Sequence, residues 1–148
     1  DAPPPPCSLR EFRQFDFWVG EWNLTWGDSG KGPNPITIAM DSCVIQEDFQ
    51  VEPQPSFRGH SVSTYDTDTH QWRQTWVDNN GGYLDFVGGW TGDRMVLWRE
   101  APSDSGSFLQ RMVWYEISKN SLEWNWEKST DGGTTWETLW NIHYERVE

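Results

Sequence analysis

Gln71–Gly89, QWRQTWVDNNGGYLDFVGG, reads as a strand, a tight turn and a second strand. A period of two places Trp72, Gln74, Trp76 and Asp78 on one face and Arg73, Thr75 and Val77 on the other. Asn79-Asn80-Gly81-Gly82 then supplies residues that tolerate the positive φ of a tight hairpin. On the return, Leu84 and Phe86 oppose Tyr83, Asp85 and Val87, and Gly88-Gly89 marks a bend or bulge.

The same grammar recurs on both sides of this hairpin. Upstream, Trp22, Leu24 and Trp26 alternate with Glu21, Asn23 and Thr25. Pro35–Gln50 reads as a strand pair or one long bent strand, with Ile36, Ile38 and Met40 sharing a face, and Gly59–Tyr65 as a further strand. Downstream come Arg94–Arg99, Phe108–Ile117, Leu122–Lys128 and Thr135–Tyr144. The segments 27–35, 51–56 and 102–107 are loops by their Gly, Pro and Ser content. About eight to ten short strands at such spacing predict an all-β fold, a single antiparallel up-and-down barrel. Ser8–Phe17 is the one helical stretch, with Ser8 as N-cap, Glu11 three residues on, and Leu9, Phe12 and Phe15 as an apolar side suited to covering a barrel end. The chain thus divides into a Pro-rich arm with a short helix (1–14) and a barrel domain (15–148).

Composition narrows the function classes. The 148 residues suit one domain. Only 35% are hydrophobic, but 12 Trp, 7 Phe and 4 Tyr compensate with large buried areas, and so much Trp exceeds what folding needs. A net charge of −12 argues against nucleic acid or an anionic membrane as partner. No run has the length and apolarity of a membrane-spanning helix. The opening DAPPPPCS suggests a mature or trimmed N-terminus. Cys7 and Cys43 are expected to form one disulfide in an oxidising compartment, secreted or periplasmic, tying the arm to the second strand. Two Cys and three scattered His offer no ligand spacing, so neither a metal nor a cofactor is expected.

Ser129-Thr130-Asp131-Gly132-Gly133-Thr134-Thr135-Trp136 follows the Ser-x-Asp-x-Gly-x-Thr-Trp pattern that resembles the hairpin turns of sialidase propellers. It occurs once, in a chain too short for a propeller, and reads as a structural hairpin with no glycosidase implied. Four motifs follow one another in order: FDFWVGEW (15–22), QTWVD with Gly81-Gly82 (74–82), RMVW (111–114) and WEKS with Asp131-Gly132-Gly133 and Trp136 (126–136). Together they resemble a largely uncharacterised family of small bacterial lipocalin-like proteins, and the match covers Phe15 to Arg146. The resemblance implies a calycin-type barrel with a cavity and carries almost no assigned chemistry.

Polar side chains interleaved with tryptophan are the candidate site. Trp124 and Trp126 share a face against Glu123, Asn125 and Glu127, while Trp136, Trp140, Ile142 and Tyr144 oppose Glu137, Leu139, Asn141 and His143. In a barrel the ordinary outcome is tryptophan inside and acid in water. If the Trp72 face points inward, however, Gln74 and Asp78 line the lumen, and an inward carboxylate can serve as a general acid or base.

Three readings follow. The first is an exported small-molecule binder using Trp22, Trp72, Gln74, Trp76, Gln110, Arg111, Trp114, Trp124 and Trp126 around an apolar, aromatic or cationic ligand. The second is a cofactor-free isomerase, cyclase or lyase with acid–base groups among Asp78, Asp85, Glu127, His60 and Tyr83. The third is carbohydrate binding on exposed tryptophans. A haem site using His143 is a minor fourth. A small-molecule ligand is the expected partner, with monomer and homodimer both left open.

Overall fold

The computed structural model describes residues 2–53 and 56–148. Gln54 and Pro55, in the expected loop over 51–56, and Asp1, at the expected trimmed terminus, lie outside the described residues. Ten strands follow one another: β1 (Gly20–Trp26), β2 (Gly30–Ala39), β3 (Val44–Gln50), β4 (Arg58–Asp66), β5 (Gln71–Asp78), β6 (Tyr83–Trp90), β7 (Met95–Ser103), β8 (Gly106–Tyr115), β9 (Ser121–Ser129) and β10 (Glu137–Arg146). Each pairs antiparallel with its sequence neighbour, and β10 returns to β1 with Leu24 opposite Tyr144, closing the barrel. Closure leaves no free sheet edge.

Period-two alternation fixes the inside. Trp22 and Leu24, Ile45 and Phe49, Met95 and Leu97, Met112 and Trp114, and Ile142 and Tyr144 are all buried members of one core. The Trp72–Asp78 face of β5 points inward with them, with Trp72 and Gln74 buried.

The chain before β1 closes one end of the barrel. Instead of a helix capped by Ser8, it forms two short 3-10 helices, Arg10–Arg13 and Asp16–Trp18, and the first has Leu9 at its N-cap position with no side-chain capping bond. Phe12, Phe15 and Trp18 are buried. The Phe15 ring stacks on Trp18 at 4.8 Å and meets Trp72 and Trp114 edge-on at 5.4 and 5.0 Å. Trp72 Nε1 donates to Gln14 Oε1 (3.1 Å) and Trp22 Nε1 to Trp18 O (2.8 Å), so the indole N–H groups bind the plug as well as filling space. From β10, the Arg146 guanidinium donates to Val19 O (2.7 Å), Phe17 O (3.1 Å) and Lys119 O (2.8 Å) and lies 4.1 Å from the Trp22 ring centre. Gly20, at φ 138°, has no Cβ to obstruct that guanidinium. Cys7 and Cys43 form a disulfide with Cα atoms 5.3 Å apart. Cys43 sits in the turn after β2, at the closed end, rather than on the second strand itself.

Some boundaries differ from the sequence reading. β2 begins at Gly30, within the segment expected to be a loop, although it contains Pro33 and Pro35. β3 pairs with β2 only from Ile36 to Ala39, so both prolines lie where no ladder bond is required of them on that side. Met40 leaves the strand for a turn in which Met40, Asp41 and Ser42 all have positive φ, and so does not share the inward face with Ile36. β7 and β8 extend into the expected loop over 102–107. A register shift between Thr138 and Trp140 breaks the expected alternation: Trp140 packs on the core, whereas Trp136 lies against Arg111, 3.9 Å from its guanidinium.

Candidate functional site

Because the barrel is a meander, alternate connections gather at the end opposite the plug: β1–β2, β3–β4, β5–β6, β7–β8 and β9–β10. Inside, toward that end, is a cavity of about 210 Å³. Its wall is mainly aromatic: Phe49, Phe57, Trp76, Phe86, Trp114, Trp124, Trp126 and Trp140, with Leu24, Leu84, Met112 and Ile142 between them. The rings meet at steep angles, as Trp124 does Trp140 (5.8 Å, 86°) and Phe86 does Trp126 (5.9 Å, 78°). Edge-to-face contacts of this kind brace the wall. Its polar members are Glu47, Asp78 and Tyr144.

Glu47 and Tyr144 belong to a buried network spanning β10, β2, β3 and β4. Glu47 faces inward because it falls on the same face of β3 as Ile45 and Phe49, and it stands opposite Ile36 on one side and Ser61 on the other. Glu47 Oε2 accepts from Asn34 Nδ2 and Oε1 from Ser61 Oγ, both at 2.8 Å. Asn34 Nδ2 also donates to Tyr144 Oη at 3.0 Å. Glu47 is 8% exposed and Asn34, Ser61 and Tyr144 2% or less.

Burial pushes the Glu47 carboxyl above the usual carboxylate range, and the Asn34 and Ser61 donors offset only part of this. Burial, then the nearby Glu47, also pushes the Tyr144 phenol up, so it stays protonated. No Lys or Arg among the described residues forms an ion pair with Glu47. Further buried polar atoms have no partner, among them Asn34 Oδ1 and, in the cavity wall, Trp114 Nε1.

The residues singled out from sequence fall into separate places. Trp76, Trp114, Trp124, Trp126 and Asp78 line the cavity. Trp22 and Trp72 are packed at the plugged end, and Gln74 is buried with its amide donating to Ser63 Oγ at 2.9 Å. Gln110 accepts from Arg99 at 2.6 Å and is not among the cavity-lining side chains.

Asp78 organises the β5–β6 turn. Oδ1 accepts from the Asn80 and Gly82 amides and Oδ2 from Trp76 Nε1, all at 2.9 Å. Partial burial raises its carboxyl, but these three donors outweigh that and hold it below the usual range. A carboxylate so engaged is a poor general base.

The other acid–base candidates face away from the cavity. Asp85 accepts from Thr75 Oγ1 at 2.8 Å, His60 pairs with Asp48 at 2.8 Å, and Tyr83 is 63% exposed. Glu127 accepts from Arg111 Nε at 2.6 Å and from Asn125 Nδ2 at 2.9 Å, on the outer face of β8 and β9. Arg111 is therefore part of an external ladder and not of the cavity wall. His143 belongs to the same outer face, bonded to Glu123 and Glu145, so its ring faces away from the lumen that a haem would occupy. A second acid that lines the cavity beside Asp78, Glu47, is not among the residues singled out from sequence, although the spacing Ile45-x-Glu47-x-Phe49 carries the signal. Among the described residues no cluster of three or more His, Cys, Asp or Glu side chains is placed to hold a metal ion. No family model matches the chain, and no curated protein matches it significantly.

Proposed function

We propose that this barrel binds a small apolar or aromatic molecule in its tryptophan-lined cavity. The observation that carries the reading is the wall itself: eight Phe and Trp side chains around about 210 Å³, interrupted by few polar groups. Sites for small organic ligands have this composition, largely apolar with a few convergent polar atoms. The order of its four motifs supports a lipocalin-like barrel of calycin type, in which the lumen is the ligand site. We infer export to an oxidising space, secreted or periplasmic, from the Cys7–Cys43 disulfide. Sugar binding is disfavoured: a stacking platform needs several exposed rings, and among the described residues Trp98 is the one exposed tryptophan. A cofactor-free enzyme is the second reading, and Glu47 favours it, because a buried carboxylate of raised pKa beside a protonated phenol is a plausible proton-transfer pair.

The test is titration of the protein with small aromatics (toluene, indole, 2-phenylethanol and 2-phenethylamine) followed by tryptophan emission and calorimetry. Saturable binding is expected, and it should disappear in Leu24→Trp, which fills the cavity, while the far-ultraviolet dichroism stays native. Binding by none of the panel, or equal binding by the filled variant, would overturn the proposal.

A further inference from the structure

Resting on that reading, we infer that the cavity is built for an amine: a primary ammonium seated against Glu47, with its aromatic body among the tryptophans. Glu47 is a carboxylic acid buried at the wall of an apolar cavity, and among the described residues no Lys or Arg forms an ion pair with it. Its two oxygens each receive one neutral donor, from Asn34 and Ser61. A carboxylate oxygen accepts more than one hydrogen bond, so both retain capacity toward a ligand.

A further acceptor in the same wall is Tyr144 Oη, while Asn34, whose Oδ1 is unpartnered, stands behind the two and is not itself a lining residue. An ammonium brings three donors and one positive charge to this acceptor-rich corner. Bound there, it would give Glu47 the direct ion-pair partner that no Lys or Arg among the described residues provides, and a buried acid is retained in ionised form only when so paired.

The surroundings favour the same chemistry. Trp124, Trp126 and Trp140 line the same cavity as Glu47, and indole faces attract cations. The net charge of −12 draws cations toward the protein and repels anions. The cavity, with room for roughly seven water molecules, suits one aromatic ring with a short amine arm.

The deciding experiment compares 2-phenethylamine with its neutral isostere 2-phenylethanol by calorimetry, on the wild type and on Glu47→Gln. The amine is expected to bind at least tenfold more tightly than the alcohol in the wild type, and Glu47→Gln should erase that preference. If the variant fails to fold, benzyltrimethylammonium against neopentylbenzene on the wild type asks the same question of charge alone. Equal binding of amine and alcohol, or a preference that survives in Glu47→Gln, would overturn the amine assignment and leave the aromatic-binding reading standing. Binding of neither probe, nor of toluene or indole, would remove both.

Discussion

Asn34 Nδ2 donates to Glu47 Oε2 at 2.8 Å and to Tyr144 Oη at 3.0 Å, so one amide on β2 holds both an acid from β3 and a phenol from β10. The cost of burying Glu47 gives stability a pH signature. Its folded pKa is raised above the unfolded value, so its contribution is fully present below about pH 4.5 and is lost as pH rises through the folded pKa. Glu47→Gln, which cannot ionise, removes that loss. In urea titrations at pH 4 and pH 8, the variant should gain relative to the wild type at pH 8. An offset between the two proteins that is the same at both pH values would contradict this.

Trp114 serves both the plug and the cavity, touching Phe15 and Trp18 on one side and lining the cavity on the other. Trp114→Ala is expected to cost about 3–5 kcal/mol, as for a large buried aromatic. Trp76 is half-buried near the mouth, and its truncation should cost no more than about 1–2 kcal/mol. Denaturation midpoints that ranked the two the other way would show that the core is not centred where Phe15 enters it.

The Cys7–Cys43 bridge closes a loop of 36 residues in sequence separation. Chain-entropy reasoning gives it about 3–4 kcal/mol. Thermal denaturation of Cys7→Ser/Cys43→Ser, or of wild type under reductant, should show a clear fall in Tm. Limited proteolysis should then cut first before Phe12. An unchanged Tm would mean that the aromatic contacts alone secure the plug.

Asp131 anchors the β9–β10 turn. It accepts from the Thr135 hydroxyl and amide and from Ser129 Oγ, and these donors lower its carboxyl to about 2. A depressed carboxylate contributes stability above its unfolded pKa, near 3.8, and loses it as pH falls through about 2. Carbon-detected titration of the side chain should report that low value, and Asp131→Asn should flatten the acid limb of the stability curve. A carboxyl titrating near 4 would refute the anchoring role.

The hairpin from Gln71 to Gly89 was readable because its alternation is strict and its turn carries two glycines. Glu47 escaped for the opposite reason: the turn before β3 uses Met40, Asp41 and Ser42 at positive φ, with no Gly or Pro to announce it. Without a signal for that turn the start of β3 goes unmarked, and the shared spacing of Ile45, Glu47 and Phe49 is not read as the inner face of a separate strand. Trp136 was misassigned to the Trp140 face because a bulge adds a residue that periodicity does not see. For Glu127 the difficulty is burial without enclosure: Arg111 covers it, with Trp136 stacked beyond, on the outside of the barrel. Alternation gives relative faces only, and the plug's contacts with Trp72 and Trp114 show which face is inside.

The plug leaves the cavity toward the opposite end of the barrel, where five connections gather. A ligand of the proposed kind would exchange past those connections, chain segments that contribute little to the closed end. On the proposed reading, residence time and grip would be separable traits: the connections at the rim would set the first, and the buried corner of Glu47, Asn34 and Tyr144 the second.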